Sequence, residues 1–148
     1  MTLYLDTSSL IKLYVDEDGS DVVRKLVARA AFVSTSVIAY AEARATLARL
    51  RREGRLTRSK LSLAKRRFED EWPTYLRLRV SDSLCREAGD LAERHRLRGD
   101  DSVHLASFAE IARRAGAKTT RFSSFDGRLN HAARALRRAL VSARTDAR

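Results

Sequence analysis

Short β-prone runs alternate with stretches of helical periodicity along most of the chain, and that alternation limits the fold more than any single motif. Thr2-Leu3-Tyr4-Leu5 reads as a first strand, and Asp6-Thr7-Ser8-Ser9 can cap a following helix that carries Leu10, Ile11, Leu13, Tyr14 and Val15. A second helix is expected from Ser20 to Ala30, with Val22, Val23, Leu26 and Val27 on one stripe, before a strand at Phe32-Val33-Ser34. Ser36 opens a long third helix, with Val37, Ile38, Tyr40, Ala41, Ala45 and Leu47 on its apolar side, that stops near Gly54. Thr57 caps a fourth helix that reaches Trp72-Pro73, where proline blocks continuation, so the third and fourth helices read as an Arg-rich antiparallel hairpin. Tyr75 to Val80 is a third strand.

Ser81 or Asp82 caps a fifth helix to about Arg96, and a sixth runs from Asp100 or Asp101 to about Ala115, ended by Gly116. Lys118 to Ser123 reads as a fourth strand, Phe125 to Leu136 as a helix, and Arg138 to Val141 as a short last strand. Strands separated by helices predict an α/β fold: a parallel sheet of four to five strands with helices on both faces, because parallel strands need crossover connections. The 148 residues suit a single domain, residues 1–141, followed by a polar tail at 142–148.

In such sheets the functional crevice lies beyond the carboxyl ends of the strands. Four residues expected at that rim are acidic: Asp6 after the first strand, Glu42 in the helix after the second, Asp101 at the start of the sixth helix, and Asp126 after the fourth strand. Glu42 is expected within the apolar stripe of Ile38, Ala41 and Ala45, where a carboxylate is costly without a partner. Carboxylates converging in one crevice repel one another unless a cation or a proton compensates. A hard divalent ion, Mg²⁺ or Mn²⁺, suits oxygen ligands with no cysteine or histidine set nearby. Two such ions about 3.5–4 Å apart could activate water against a phosphodiester.

The 30 basic residues, mostly arginine, outnumber 19 acidic ones and leave a net charge of +11. That balance suits a polyanionic partner such as RNA; solvated helix faces or coding bias account for it equally well. With neither a signal-peptide pattern nor an apolar run of membrane-spanning length, the sequence is read as that of a soluble cytoplasmic protein. Cys85, the one cysteine, is read as a small buried side chain.

The segments Leu5-Asp6-Thr7-Ser8-Ser9-Leu10, Ser36-Val37-Ile38-Ala39-Tyr40-Ala41-Glu42, Leu97-Arg98-Gly99-Asp100-Asp101-Ser102-Val103-His104-Leu105-Ala106 and Phe122-Ser123-Ser124-Phe125-Asp126-Gly127-Arg128-Leu129 together resemble a PIN domain of the VapC toxin type, over about residues 1–141. The resemblance implies a three-layer α/β/α PIN-like fold with an extended helical hairpin and a Mg²⁺-dependent endoribonuclease, Mn²⁺ being possible. It further implies the toxin of a toxin-antitoxin pair, held inactive by a cognate antitoxin and usually a homodimer. It assigns metal binding to Asp6 and Asp101, assistance to Glu42 and completion of the cluster to Asp126. Ser8 and Ser124 are implied to hydrogen-bond the cluster or its waters. At Asp100 the chain departs from the commoner family pattern, in which an aromatic precedes the motif aspartate. Helix phase favours Asp101 as the ligand.

Each residue has a plainer role beside this one. Asp6 alone reads as a helix cap, Glu42 as an exposed partner of an arginine, Asp101 as another cap and Asp126 as a turn residue before Gly127. His104, one helical turn after Asp101, is read as structural, Trp72 as packing at the hairpin's end, and the basic stretches Arg49 to Arg58 and Lys65 to Arg67 as solvated faces. The rival functions are a non-catalytic RNA-binding module and a DNA-directed nuclease of the same fold.

Overall fold

Successive side chains of a strand face opposite layers, and in this protein both layers are filled. The computed structural model describes residues 1–146. Its strands are β1 (Thr2–Leu5), β2 (Phe32–Ser36), β3 (Leu76–Leu78) and β4 (Thr120–Ser123). They form one parallel sheet in the order β3-β2-β1-β4. The helices are α1 (Thr7–Leu10), continued by a 3₁₀ turn at Ile11–Leu13, α2 (Ser20–Ala28), α3 (Ile38–Arg52), α4 (Arg58–Glu71), α5 (Asp82–His95), α6 (Gly99–Ala115) and α7 (Gly127–Asp146).

Leu3 and Leu5 of β1 point into a core shared with Leu10, Val23, Leu47 and Phe68 from α1 to α4. Tyr4, between them, points into a second core with Leu84, Leu105, Phe108 and Leu129 from α5 to α7. Two cores on opposite faces of one sheet make the three-layer α/β/α architecture, and each fully buried large apolar side chain stabilises it by roughly 1.5–3 kcal/mol. Tyr4 stacks on Phe122 of β4 with ring centroids 5.6 Å apart and meets Phe108 edge-on. Leu5 pairs with Ser123, so β1 and β4 end level with each other at one edge of the sheet.

The expected hairpin is present. Gly54, at φ 71°, turns the chain out of α3, and the Thr57 hydroxyl caps α4 by accepting the Lys60 N–H at 3.2 Å. Tyr40 and Arg44 of α3 both reach Glu69 of α4, at 2.7 and 2.6 Å. Trp72 packs against Tyr40 and Phe68, as expected of it.

Four expectations change. Arg138 to Val141 is helix, not strand: Leu129, Ala132, Ala133, Leu136 and Leu140 keep helical spacing against the second core, and α7 runs on to Asp146, with 147 and 148 outside the described residues. The third strand shortens to Leu76–Leu78, because Tyr75 turns into the first core, where its hydroxyl meets that of Tyr14. The buried stripe of α3 is Ala39, Ala43, Leu47 and Leu50, while Ala41 and Ala45 are exposed. Cys85 is exposed, since α5 turns Leu84, Ala88 and Leu91 inward.

Candidate active site

Asp6 ends β1 and starts α1, its backbone still extended at φ −73° and ψ 174°. Its Oδ1 accepts the Ser9 N–H at 3.0 Å and the Ser8 hydroxyl at 2.8 Å, and its Oδ2 accepts the Ser124 hydroxyl at 2.6 Å. The cap and the acidic site are therefore the same residue. Asp6 is only 4% exposed, and burial pushes its carboxyl above the usual carboxylate range, outweighing the lowering by Ser124, Ser9 and Ser8. Ser8 and Ser124 also fix the β4 loop: the Phe125 N–H donates to Ser8 Oγ at 2.8 Å, and the Asp126 N–H donates to Ser124 Oγ at 2.9 Å.

Glu42 lies in the second turn of α3, half-buried beside the Ala39-Ala43 stripe rather than within it. Its Oε1 accepts the Thr7 hydroxyl at 2.9 Å and meets His104 Nε2 at 2.8 Å. His104 is 2% exposed, and its Nδ1 lies 2.9 Å from the Tyr4 hydroxyl. A carboxylate only accepts, so a proton is assigned to Nε2, facing Glu42, while Nδ1 faces the Tyr4 hydroxyl. One imidazole thus joins β1, α6 and α3 across the sheet. From the sequence His104 has a structural role with no partners named; its position one turn after Asp101 was the available signal.

Asp100 and Asp101 occupy the first turn of α6, where the helix dipole favours negative charge. Asp101 is partly buried and Asp100 exposed, with Arg98 Nε 3.5 Å from the Asp100 carboxylate. Burial, then Asp100 and Asp126, raise the Asp101 carboxyl above its usual range, against the opposing charge of Arg98. Asp126 is exposed and caps α7 by accepting the Leu129 N–H at 2.8 Å.

Asp6, Glu42, Asp100, Asp101 and Asp126 all line one cleft of about 480 Å³ at the carboxyl end of the sheet, with Lys12, Arg49, Arg55 and Arg98 also on its walls. Among the described residues no three acidic or imidazole groups come together tightly enough to cage one ion. Such an open set of oxygen donors, with Asp101 destabilised by its acidic neighbours, fits a hard divalent cation that keeps several waters and takes only one or two carboxylates. The cleft also brings forward Phe125, 47% exposed, and Lys12, whose Nζ lies 4.3 Å from the centre of the Phe125 ring.

The family model described as "PIN domain" matches residues 3–135. Two curated relatives, Ribonuclease VapC45 of Mycobacterium tuberculosis (strain CDC 1551 / Oshkosh) and Ribonuclease VapC49 of Mycobacterium tuberculosis (strain ATCC 25618 / H37Rv), are each 39% identical over 105 residues, covering 71% of this chain and 73% of the relative. Among solved structures, the crystal structure of Mycobacterium tuberculosis VapC20, titled a Sarcin-Ricin loop cleaving toxin, matches with a TM-score of 0.64 at 20% identity, over 88% of this chain and 94% of that one. At that identity the likeness is one of fold.

Proposed function

The chain belongs to the PIN-domain family, and from that premise we propose that it is a divalent-metal-dependent endoribonuclease, the toxin of a toxin-antitoxin pair. The observation that carries this reading is the convergence of Asp6, Glu42, Asp101 and Asp126 on one cleft at the carboxyl end of the sheet. The relatives' names, both ribonucleases, give the substrate class.

In this reading Asp6 and Asp101 hold Mg²⁺, or Mn²⁺, with Glu42 and Asp126 completing the set. A divalent ion held by these residues would supply water activation and charge neutralisation for phosphodiester hydrolysis. The protein's own part is positioning. Ser8, Ser9 and Ser124 fix both oxygens of Asp6. Thr7 and His104 fix Glu42 through Oε1. Ser124, held between Asp6 and the backbone of Asp126, keeps the two acids in register across the β1–β4 junction. The basic walls of the cleft, Lys12, Arg49, Arg55 and Arg98, hold the RNA backbone against an otherwise repellent acidic floor.

No helix among the described residues is long and apolar enough to cross a membrane, and the reading places the protein in the cytoplasm with its RNA. It also carries a homodimer and a cognate antitoxin whose peptide covers the cleft. The test is incubation of purified protein with labelled cellular RNA and a DNA control, in Mg²⁺ with and without EDTA, beside an Asp6→Asn variant. Cleavage of RNA that EDTA and the substitution both abolish is expected; equal cleavage by the variant overturns the site. Growth arrest on expression, relieved by the neighbouring gene, separates a toxin from a housekeeping nuclease.

A further inference from the structure

Phe125 stands next to Asp126 on the lip of the acidic cleft and leaves 47% of its surface to solvent. Exposure alone is unremarkable for an apolar side chain, but this ring is also held in place. Its backbone N–H donates to Ser8 Oγ at 2.8 Å, the same hydroxyl that binds Asp6. Its edge lies against Gly19, where a Cβ would come within 2.4 Å of the Phe125 Cε1 and where the backbone sits at φ +88°. The ring thus occupies the space a side chain at position 19 would need. Over the ring, 4.3 Å from its centre, lies the Lys12 ammonium, itself fixed by Glu17 at 2.9 Å and the Asp18 carbonyl at 2.7 Å.

We propose that Phe125, backed by Gly19 and Lys12, is a nucleobase-stacking subsite that takes an unpaired base of the strand whose phosphodiester lies over the acids; this rests on the ribonuclease reading. Three features select that ligand. Any unpaired base offers a π-face to an aromatic ring without hydrogen-bond matching. The ring already rests against Gly19 and Lys12, so stacking orders little of its side chain. The flanking Arg49 and Arg55, both half-exposed, suit the phosphates that arrive with the base. A base held one residue from Asp126 puts its own phosphate beside the cluster.

The measurement is binding of a single-stranded oligoribonucleotide containing 2-aminopurine, in Mg²⁺, to protein carrying Asp101→Asn, so that binding is read apart from cleavage. Quenching of the fluorescent base is expected. Adding Phe125→Leu, similar in bulk but without a π-face, is expected to abolish the quench and weaken binding about tenfold. Phe125→Trp is expected to preserve both, and all three proteins should melt together, since the ring is half outside the fold. Unchanged affinity and quench in the Phe125→Leu protein overturn the subsite, including the case where that substitution disturbs only neutralisation by a protein partner. Equal loss in the Leu and Trp proteins also overturns it, because shape rather than stacking would then be responsible. A wild-type protein that stacks the base but cleaves no RNA sinks the ribonuclease reading and leaves the subsite standing.

Discussion

At the floor of the cleft, Asp6 is buried and takes hydrogen bonds on both oxygens from Ser8, Ser9 and Ser124, while Glu42 is held through Oε1 by Thr7 and His104. At the rim, Asp100, Asp101 and Asp126 carry partial or full exposure, and Asp101 is pushed up by its acidic neighbours as well as by burial. The floor is organised by the protein itself. The rim is a set of like charges whose strain a cation would relieve. Carboxylates oriented by hydrogen bonds on one side and repelling ones on the other are the two properties that the proposed divalent ion would use, order before binding and charge for it to offset.

The largest effects should come from removing a carboxylate on either side. Asp6→Asn keeps the helix cap, because asparagine also accepts the Ser9 N–H, so the fold should survive while RNA cleavage falls to background. Asp101→Asn should do the same from the rim. Asp100→Asn, on the exposed neighbour paired to Arg98, should retain most activity. Gel assays of cleavage beside thermal melts decide this; full loss in the Asp100 variant with activity kept in the Asp101 variant would move the rim ligand by one residue.

Next in size is His104, which belongs to the floor by its hydrogen bonds and to the rim by its helix. His104→Ala should cost about 10–100-fold in activity, typical of a group that orients a ligand, and weaken Mn²⁺ binding measured by calorimetry. His104→Gln can place an amide nitrogen near the Nε2 position and should recover much of that loss. His104→Asn is too short and should not. If alanine and glutamine behave alike, the imidazole fills space and the link to Glu42 does no orienting.

How far the sequence foretold this contrast depends on the kind of signal. Asp6, Asp101 and Asp126 were found because each follows a strand or opens a helix in a parallel sheet, a rule that needs only local patterning, whereas Glu42, inside α3, was found from its place in the helix after the second strand. The layers followed from the same alternation. The hydrogen-bonded floor was only partly readable, since Thr7 to Glu42 and His104 to Tyr4 are 35 and 100 residues apart and no local period encodes them. Local ambiguity explains the other departures. On α3 a continuous apolar run from Val37 to Ala41 hid the phase that buries Ala39 and Ala43, although Leu47 was placed correctly. At the C-terminus, four residues taken alone as a strand belong to a helix whose spacing from Leu129 onward is visible only over three turns.

A smaller effect separates the hydroxyls. Ser124→Ala removes a buried donor to Asp6 and a half-buried acceptor for the Asp126 N–H, so it loosens floor and rim together, whereas Ser8→Ala removes a donor to Asp6 and the acceptor of the Phe125 N–H, an exposed amide that water can satisfy. Leaving buried polar groups unpaired costs about 1–3 kcal/mol. Ser124→Ala should therefore melt lower than Ser8→Ala, by a few degrees at most for a chain of this length, and differential scanning calorimetry of the two proteins measures the gap.

The smallest effect is on the pH dependence of the metal-free protein. Asp6 and Asp101 both have carboxyls raised in the folded state. Above the usual carboxylate range, the folded chain therefore keeps protons that the unfolded chain has already released. Where the native state binds more protons, stability falls as pH rises, so in EDTA the melting temperature should be higher near pH 5 than near pH 8 as far as these two groups are concerned. The partial exposure of Asp101 limits its share. With saturating Mg²⁺ the slope should flatten, because the ion binds the deprotonated acids and stabilises the native state by mass action. Asp6→Asn in EDTA should lose the part of the slope that belongs to the floor and Asp101→Asn the part that belongs to the rim. A slope unaffected by Mg²⁺ and by both substitutions would mean that the acids feel one another too weakly for a cation to matter, and the contrast between floor and rim would dissolve.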